Sequence, residues 1–359
     1  MTGNIGEWSE LYTMFKLLAD GKLYAADANT NKLSNIYYDV LRVIRGSSPD
    51  RLEYKREDEI KVVKSSTGEV ICTISIDSFV HQTDLLLKGI LEKKEAKTNG
   101  AFDLPETWDF AKSIHCDTLK AKSQDKADIV IMVHDIMSGR DDTFGFSIKS
   151  QLGSPSTLFN ASGATNFTYK VTGHTLTEEE TAKFNETKTF KKKFEYLRDL
   201  GSDISFVKVD NETFGFNLKM VTSEMPAIFA TMIKYYYEGK AVKLADLATD
   251  VAHSGVIKTM DNEVYLNHNV KELLTNIALG MVPAKIWTGD YEATGGYIIV
   301  KEDGDVVCYH IYNQNAFRNY MLKNTRFDTP STSRHGFGSI YTEHGEQFIK
   351  LNAQIRFVK

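Results

Sequence analysis

Apolar residues along the chain repeat with two periods. Trp8, Leu11, Tyr12, Phe15 and Leu18 make one stripe at helical spacing, which predicts a helix over residues 7–19, stopped by Gly21. Tyr37, Val40, Leu41 and Ile44 keep the same spacing and predict a second helix over 36–44, ended by a turn at 46–49. Residues 59–76 read as a hairpin about Ser66, Thr67 and Gly68. A helix follows over 81–96, with Lys93, Lys94 and Lys97 at its end, where a helix dipole favours cations. Asn99-Gly100 marks a turn, and residues 106–110 a short helical turn or loop. Two apolar runs, 128–133 and 144–148, then flank the polar segment 138–143, which is a hairpin pattern with a Gly-containing loop.

Beyond residue 150 the pattern predicts a short helix over 157–161 and a strand over 167–171. A long charged helix spans 178–200, with Phe184, Phe190, Phe194 and Leu197 on one face, broken at 201–203. Residues 204–209 and 214–218 read as a hairpin about Asp210-Asn211, and 225–237 as an apolar helix whose pattern continues to 251. The last third is β-rich. Strands over 296–300 and 306–312 flank Asp303-Gly304, and strands over 339–343 and 347–357 flank His344-Gly345. A helix over 316–323 lies between these two hairpins.

Composition narrows the classes. With 42% hydrophobic and 25% charged residues in 359, the chain is globular and long enough for a sizeable core. A net charge of -5 excludes a polybasic binder but not a basic cleft on an acidic body. Cys72, Cys116 and Cys308 have no CxxC spacing, so they read as buried thiols in a reducing compartment. The N-terminus carries no signal-peptide pattern and no apolar run reaches about 18 residues, so the expectation is a cytoplasmic protein without a membrane span. No GxGxxG, GxxxxGK[ST], HExxH or GxSxG motif is present.

The chemistry that remains sits on the 128–148 hairpin. Asp128 opens its first strand and Lys149 closes its second, so folding brings the two to one end. Ser147, Ile148 and Lys149 alternate faces, so Ser147 and Lys149 point together towards Asp128 while Ile148 packs inwards and offers its carbonyl. Phosphodiester hydrolysis needs a hard divalent cation held by carboxylate and carbonyl oxygens, and a positive charge near the attacking water. An aspartate and a lysine on neighbouring strands supply both halves, although by pattern alone the pair is equally a surface ion pair. Glu7 and Glu10 lie on the first turn of the first helix, where the dipole alone favours a carboxylate and where a metal-orienting role is the alternative. The loop 327–338 gathers Thr329, Ser331, Thr332, Ser333, Arg334 and His335, a density of donors that suits a phosphate or base reader and also an ordinary polar loop.

The wording of the same stretches adds a second line. FSIKSQLG at 146–153, STLFNAS at 156–162 and ATNFTY at 164–169 resemble type II restriction endonucleases with a variant PD-(D/E)XK core. SRHGFG at 333–338 and KLNAQIRF at 350–357 resemble the same enzymes, specifically the HpaII family, which cuts duplex DNA at CCGG. The likeness runs from GEWSELY at 6–12 to the end of the chain. It implies that Asp128 is the first acidic residue of the motif and Lys149 its lysine. Two positions depart from the pattern: Ala127 stands where the motif has proline, and Ser147 where it has the second acid. Glu7, Glu10, Gln151 or water must then complete the metal site, and Glu7 is favoured because such folds place a glutamate of the first helix near the metal. The implied catalytic set is Asp128, Lys149, Ser147 and Glu7, with Mg2+ held by Asp128, the Ile148 carbonyl and Glu7. The implied DNA contacts are Gln151, Ser154, Ser156, Asn160, Ser162, Thr165, Asn166, Ser331, Ser333, Arg334 and His335, with Arg334 reading a guanine.

The resulting expectation is an α/β (α+β) protein whose central mixed sheet carries Asp128 and Lys149, flanked by helices and bearing β-hairpin additions. Residues 1–175 would hold the nuclease core, 176–290 a helical region and 291–359 a β-rich recognition region, or all three one continuous domain. The expected activity is magnesium-assisted cutting of double-stranded DNA to 5′-phosphate ends, with a homodimer as an open assembly. Two rival readings are a repair or junction nuclease on the same core, and a DNA-binding protein whose site has lost catalysis with its second acid.

Overall fold

A computed structural model of the chain describes residues 1–46, 51–96, 100–120, 127–136, 138–310 and 313–358. Residues 47–49, Lys97, Asn99 and Tyr312, to which turns, a helix end and a strand end were assigned above, lie outside these.

The short strand β1 (Thr2–Gly3) leads into α1 (Ile5–Asp20). Asn4 caps α1: its side chain accepts from the Glu7 N–H at 3.0 Å, and the Glu7 carboxylate accepts from the Asn4 N–H at 2.9 Å. Gly21 ends the helix in the left-handed region, at φ 69°. Five strands follow: β2 (Lys22–Ala26), β3 (Lys32–Arg45), β4 (Leu52–Arg56), β5 (Glu59–Lys64) and β6 (Val70–Ser75). The expected helix over 36–44 is therefore a correction, since those residues lie inside β3. Their β-branched and aromatic content suits a strand, the strand buries Tyr38, Val40 and Val43 rather than the full helical stripe, and β2, β4 and β8 take up both edges of the segment, which settles it as strand. Ser75 caps α2 (Ile76–Glu95), and β7 (Phe102–Asp103) and α3 (Pro105–Ser113) lead to β8 (Ile129–Asp135) and β9 (Arg140–Ser150). These last two form the expected hairpin, in register from Ile129 opposite Phe146 to Asp135 opposite Arg140.

In the middle of the chain, β10 (Thr157–Phe159) replaces the short helix expected over 157–161, because its backbone pairs with a strand at the far end of the sequence. β11 (Asn166–Gly173) is followed by α4 (Glu178–Glu186) and α5 (Phe190–Asp199), so the long helix expected over 178–200 is broken. Thr187 and Thr189 adopt extended dihedrals at the break, and both are β-branched residues that resist helix. β12 (Ser202–Val209) pairs with β11, whereas the partner strand expected over 214–218 lies in α6 (Glu212–Val221). Asn211 was read as a turn residue. Its side chain instead accepts from the Phe214 N–H at 2.8 Å and starts that helix. Helices α7 (Met225–Tyr237), α8 (Leu244–Ala252) and α9 (Asn262–Leu279) follow.

The last third holds β13 (Gly296–Val300) and β14 (Val306–His310) about the expected Asp303-Gly304 turn, then α10 (Gln314–Lys323). β15 (Thr325–Phe327) and the one-turn helix α11 (Thr332–His335) precede β16 (Ile340–Glu343), β17 (Glu346–Asn352) and β18 (Ile355–Phe357).

These elements divide into two compact units. The first comprises residues 1–156 and 291–320, the second 157–290 and 321–358. The first unit is built on a sheet of order β2-β14-β13-β9-β8-β3-β4-β5-β6, in which β2 also pairs with β3. Six strands thus close into a barrel, a closure the sequence reading did not anticipate. β3 is long enough to serve two partners on one edge, pairing with β2 through residues 32–39 and with β4 through residues 42–45. The sheet is mixed, as expected: β13 runs parallel to β9 and β14 parallel to β2, and the other pairings are antiparallel. One face buries Phe146, Ile148, Ile298, Val300 and Cys308 with Leu11 and Phe15 of α1. At its rim His310 is buried among the rings of Tyr38, Phe144 and Phe146. The other face carries Tyr297 and Tyr309 against Phe317 and Tyr320 of α10.

The second unit has a sheet of order β12-β11-β17-β16 and a smaller one of order β10-β18-β15. Phe167 of β11 packs on Phe214 of α6 and Phe229 of α7.

Candidate active site

The hairpin of β8 and β9 places Asp128 just before the first residue of β8. Its own N–H donates to the Phe146 carbonyl at 2.8 Å, which continues the ladder by one residue. Its side chain then takes over where main-chain pairing stops. Oδ2 accepts from the Ile148 N–H at 2.7 Å and from the Ser147 hydroxyl at 2.9 Å. A carboxylate gripped by two donors is fixed in place, and bonds of this charge-assisted kind are stronger than neutral ones. Both donors use the same oxygen. Within a strand, a residue's N–H and C=O project to the same side, so the Ile148 carbonyl faces the side from which Asp128 approaches.

Ile148 is buried on the α1 face, while Ser147 and Lys149 project from the opposite face, as the alternation requires. The Lys149 ammonium lies 5.2 Å from the ring centroid of Tyr297. Tyr297 is buried at 2% exposure and stands opposite Ser147 in the parallel pairing of β13 with β9. Burial, then the charge of Asp128, pushes its phenol well above the ordinary range and keeps it neutral. Tyr297 was missed in the sequence because no local signal pairs residue 297 with residue 147.

Ala127, just before Asp128, has a steric partner. A Cβ on Gly145 would come within 2.7 Å of the Ala127 methyl and 3.8 Å of the Glu292 carbonyl. The Gly145 N–H donates to the Thr294 hydroxyl at 3.3 Å, and its carbonyl accepts from the Gly295 N–H at 2.8 Å. Residues 292–295 therefore run beside Gly145 on the Asp128 end of the hairpin and bring the backbone of a further acidic residue, Glu292, there.

Glu7 has partners of its own. Besides closing the capping box, its carboxylate pairs with the Lys120 ammonium at 2.5 Å. Partial burial raises its pKa, but the hydrogen bonds from Lys120 and Asn4 and the lysine charge outweigh this and hold it below the ordinary value. Among the described residues no group of three or more His, Cys, Asp or Glu side chains is arranged to hold a metal.

The expected DNA contacts fall into both units. In the first, Gln151 donates its N–H to the Val300 carbonyl at 2.8 Å, Ser154 is exposed, and the Ser156 hydroxyl donates to the Ser150 carbonyl at 3.4 Å. In the second, the structure brings the 160–166 and 331–335 segments together, since the Asn166 side chain donates to the His335 carbonyl at 2.9 Å. Asn160, Ser331, Ser333 and Arg334 are exposed, and Ser162 and His335 half-buried. Thr165 and Asn166 are buried beneath them, at 0% and 5% exposure. Sequence reasoning missed Lys193, buried at 6%, whose ammonium donates to the Gly338 carbonyl at 2.6 Å just past α11. Burial holds this lysine below its ordinary pKa.

Comparison with known proteins adds an independent result. A family model described as HpaII restriction endonuclease matches residues 4–357. The type II restriction enzyme HpaII of Haemophilus parainfluenzae is 42% identical over 359 residues, covering 99% of each chain. No solved structure matches.

Proposed function

The chain belongs to the HpaII restriction endonuclease family, and from that membership we propose that it cuts duplex DNA at CCGG with Mg2+, from a PD-(D/E)XK-type site at the β8–β9 hairpin. The activity class, a site-specific endodeoxyribonuclease, follows from the family. The observation that supports the site is the grip of Asp128 on Ser147 and Ile148, which presents a fixed carboxylate and a backbone carbonyl at one strand end.

Those two oxygen donors suit Mg2+, which keeps several waters and takes one or two carboxylates from a protein. Asp128 and the Ile148 carbonyl would hold it, with Glu7 or Glu292 as the further carboxylate. When bound there, Mg2+ neutralises charge on the phosphate and lowers the pKa of a bound water. Ser147, though no metal ligand, fixes the Asp128 carboxylate through its hydroxyl. Lys149 supplies a positive charge for the oxygens of the attacked phosphate. Tyr297, beneath it, limits the conformations of a long side chain. Arg334 presents a planar fork of donors on an exposed turn, suited to the O6 and N7 of guanine. CCGG reads the same on both strands, so a two-fold homodimer would match its symmetry.

The test is digestion of a plasmid with sequenced ends, in Mg2+ and in chelator, for the wild type and for Asp128→Asn and Lys149→Ala. The expected result is 5′-phosphate ends at CCGG, no cutting in chelator, and a loss of at least about 10²-fold in either variant with duplex binding retained. Cutting at another sequence would overturn the target, and wild-type rates in Asp128→Asn would overturn the site.

A further inference from the structure

We propose that Asn352 is a positioning residue that joins the 160–166 segment and the α11 turn into one rigid DNA-reading surface. The proposal rests on the reading of those segments given above and names the group that fixes their geometry.

Asn352 ends β17 and is 1% exposed. Its amide nitrogen donates to the Ser162 carbonyl at 2.8 Å and to the Asn166 side-chain oxygen at 2.6 Å. Its side-chain oxygen accepts from the Thr165 hydroxyl at 3.3 Å, a proton it shares with the Ser162 carbonyl at 3.0 Å. Its own carbonyl accepts from the Tyr237 hydroxyl at 2.9 Å, and the next residue, Ala353, donates its N–H to the Thr165 carbonyl at 3.1 Å. The side chain thus uses both of its donors and its acceptor at a buried site. Of side chains this short, only an amide offers that combination.

The chain of bonds continues outwards. Asn166, oriented by Asn352, donates its amide to the His335 carbonyl at the end of α11. Three residues later Lys193 holds the Gly338 carbonyl, and the Phe190 and Phe337 rings stack at 5.8 Å. Within the turn, the Ser331 hydroxyl accepts from the Arg334 N–H at 3.4 Å. Arg334 therefore stands exposed on a turn whose base is fixed from below. Discrimination between bases depends on where a guanidinium fork sits, and a reading group placed loosely by an ångström loses it. A buried polar network that is fully satisfied rigidifies, whereas one broken at a single member leaves the remaining groups unpaired.

The experiment compares cleavage of a CCGG duplex with duplexes changed at one base pair, for Asn352→Asp, Asn166→Ala, Arg334→Ala and the Asn352→Asp/Arg334→Ala double variant. Thermal melting shows which variants fold. Asn352→Asp removes both donors and sets an anion against the Ser162 carbonyl. Asn166→Ala cuts the link to His335 and serves alone if the first variant does not fold. The expected result is a fall in discrimination of at least about tenfold in each folded single variant, the factor carried by one lost buried hydrogen bond. The double variant should lose no more than Arg334→Ala alone, since both act through one group. Wild-type discrimination in the folded Asn352 and Asn166 variants overturns the proposal, as does a loss that adds to that of Arg334→Ala. Wild-type discrimination in Arg334→Ala alone instead overturns the reading of the turn, and the proposal with it.

Discussion

His310 offers a measurable consequence of burying a titratable group in the first unit. It is 1% exposed at the end of β14, with the rings of Phe144 and Tyr38 at 4.7 and 4.8 Å and that of Phe146 at 5.9 Å. Burial drives its pKa down from 6.5 to about 4, against the upward pull of the Asp135 charge. The unfolded chain takes up a proton below about pH 6.5, while the folded chain resists until about pH 4. Stability from this residue is therefore full above pH 6.5 and drains away as the pH falls towards 4. The drop corresponds to about 3 kcal/mol in all, of which about 2 kcal/mol is gone by pH 5. Urea unfolding of the wild type and of His310→Phe at pH 7.5 and pH 5 measures it. The phenyl ring keeps the aromatic packing and cannot titrate. The wild type should lose about 2 kcal/mol more than the variant between the two pH values. Equal losses would refute the reasoning, because His310 would then titrate alike folded and unfolded.

Two further outcomes follow from the candidate active site. Ser147→Ala removes one of the two donors to Asp128 Oδ2 and should lower kcat/KM by about 10- to 100-fold, the worth of a hydrogen bond to a charged group, with an unchanged rate arguing against the grip. Glu7→Gln and Glu292→Gln, assayed across a Mg2+ titration, should separate the two candidates for the missing carboxylate. The variant that needs more Mg2+ than the wild type for half-maximal cutting identifies the ligand, and a wild-type requirement in both excludes them as ligands.

The parts of this fold that were legible in the sequence are those decided by near neighbours. The 225–237 helix, the Gly21 stop and the turns at Asp303-Gly304 and His344-Gly345 each rest on a few adjacent residues. The contact of Ser147 with Asp128 was legible from the hairpin, whose strand alternation turns Ser147 to that side. Residues 36–44 were misread because Tyr37, Val40, Leu41 and Ile44 satisfy helical spacing as well as strand content, and partners as remote as β8 decide between them. Asn211 was misread because one side chain serves equally as a turn former and as a helix cap. Tyr297, Lys193 and Asn352 carried no local signal at all, as each acquires its meaning from a contact made across more than a hundred residues of chain.

The parallel pairing of β13 with β9 has a consequence for the order of assembly. The strand bearing Lys149 is flanked on one edge by β8, synthesised just before it, and on the other by residues 296–300. While a ribosome extends the chain through the intervening residues, that second edge has no partner of its own and presents unpaired backbone. Nor is Tyr297 yet in place beneath the lysine. The sheet around Lys149 is thus completed only after residues 157–290, most of the other unit, have been made, so a nascent chain passes most of its synthesis without the β9–β13 pairing.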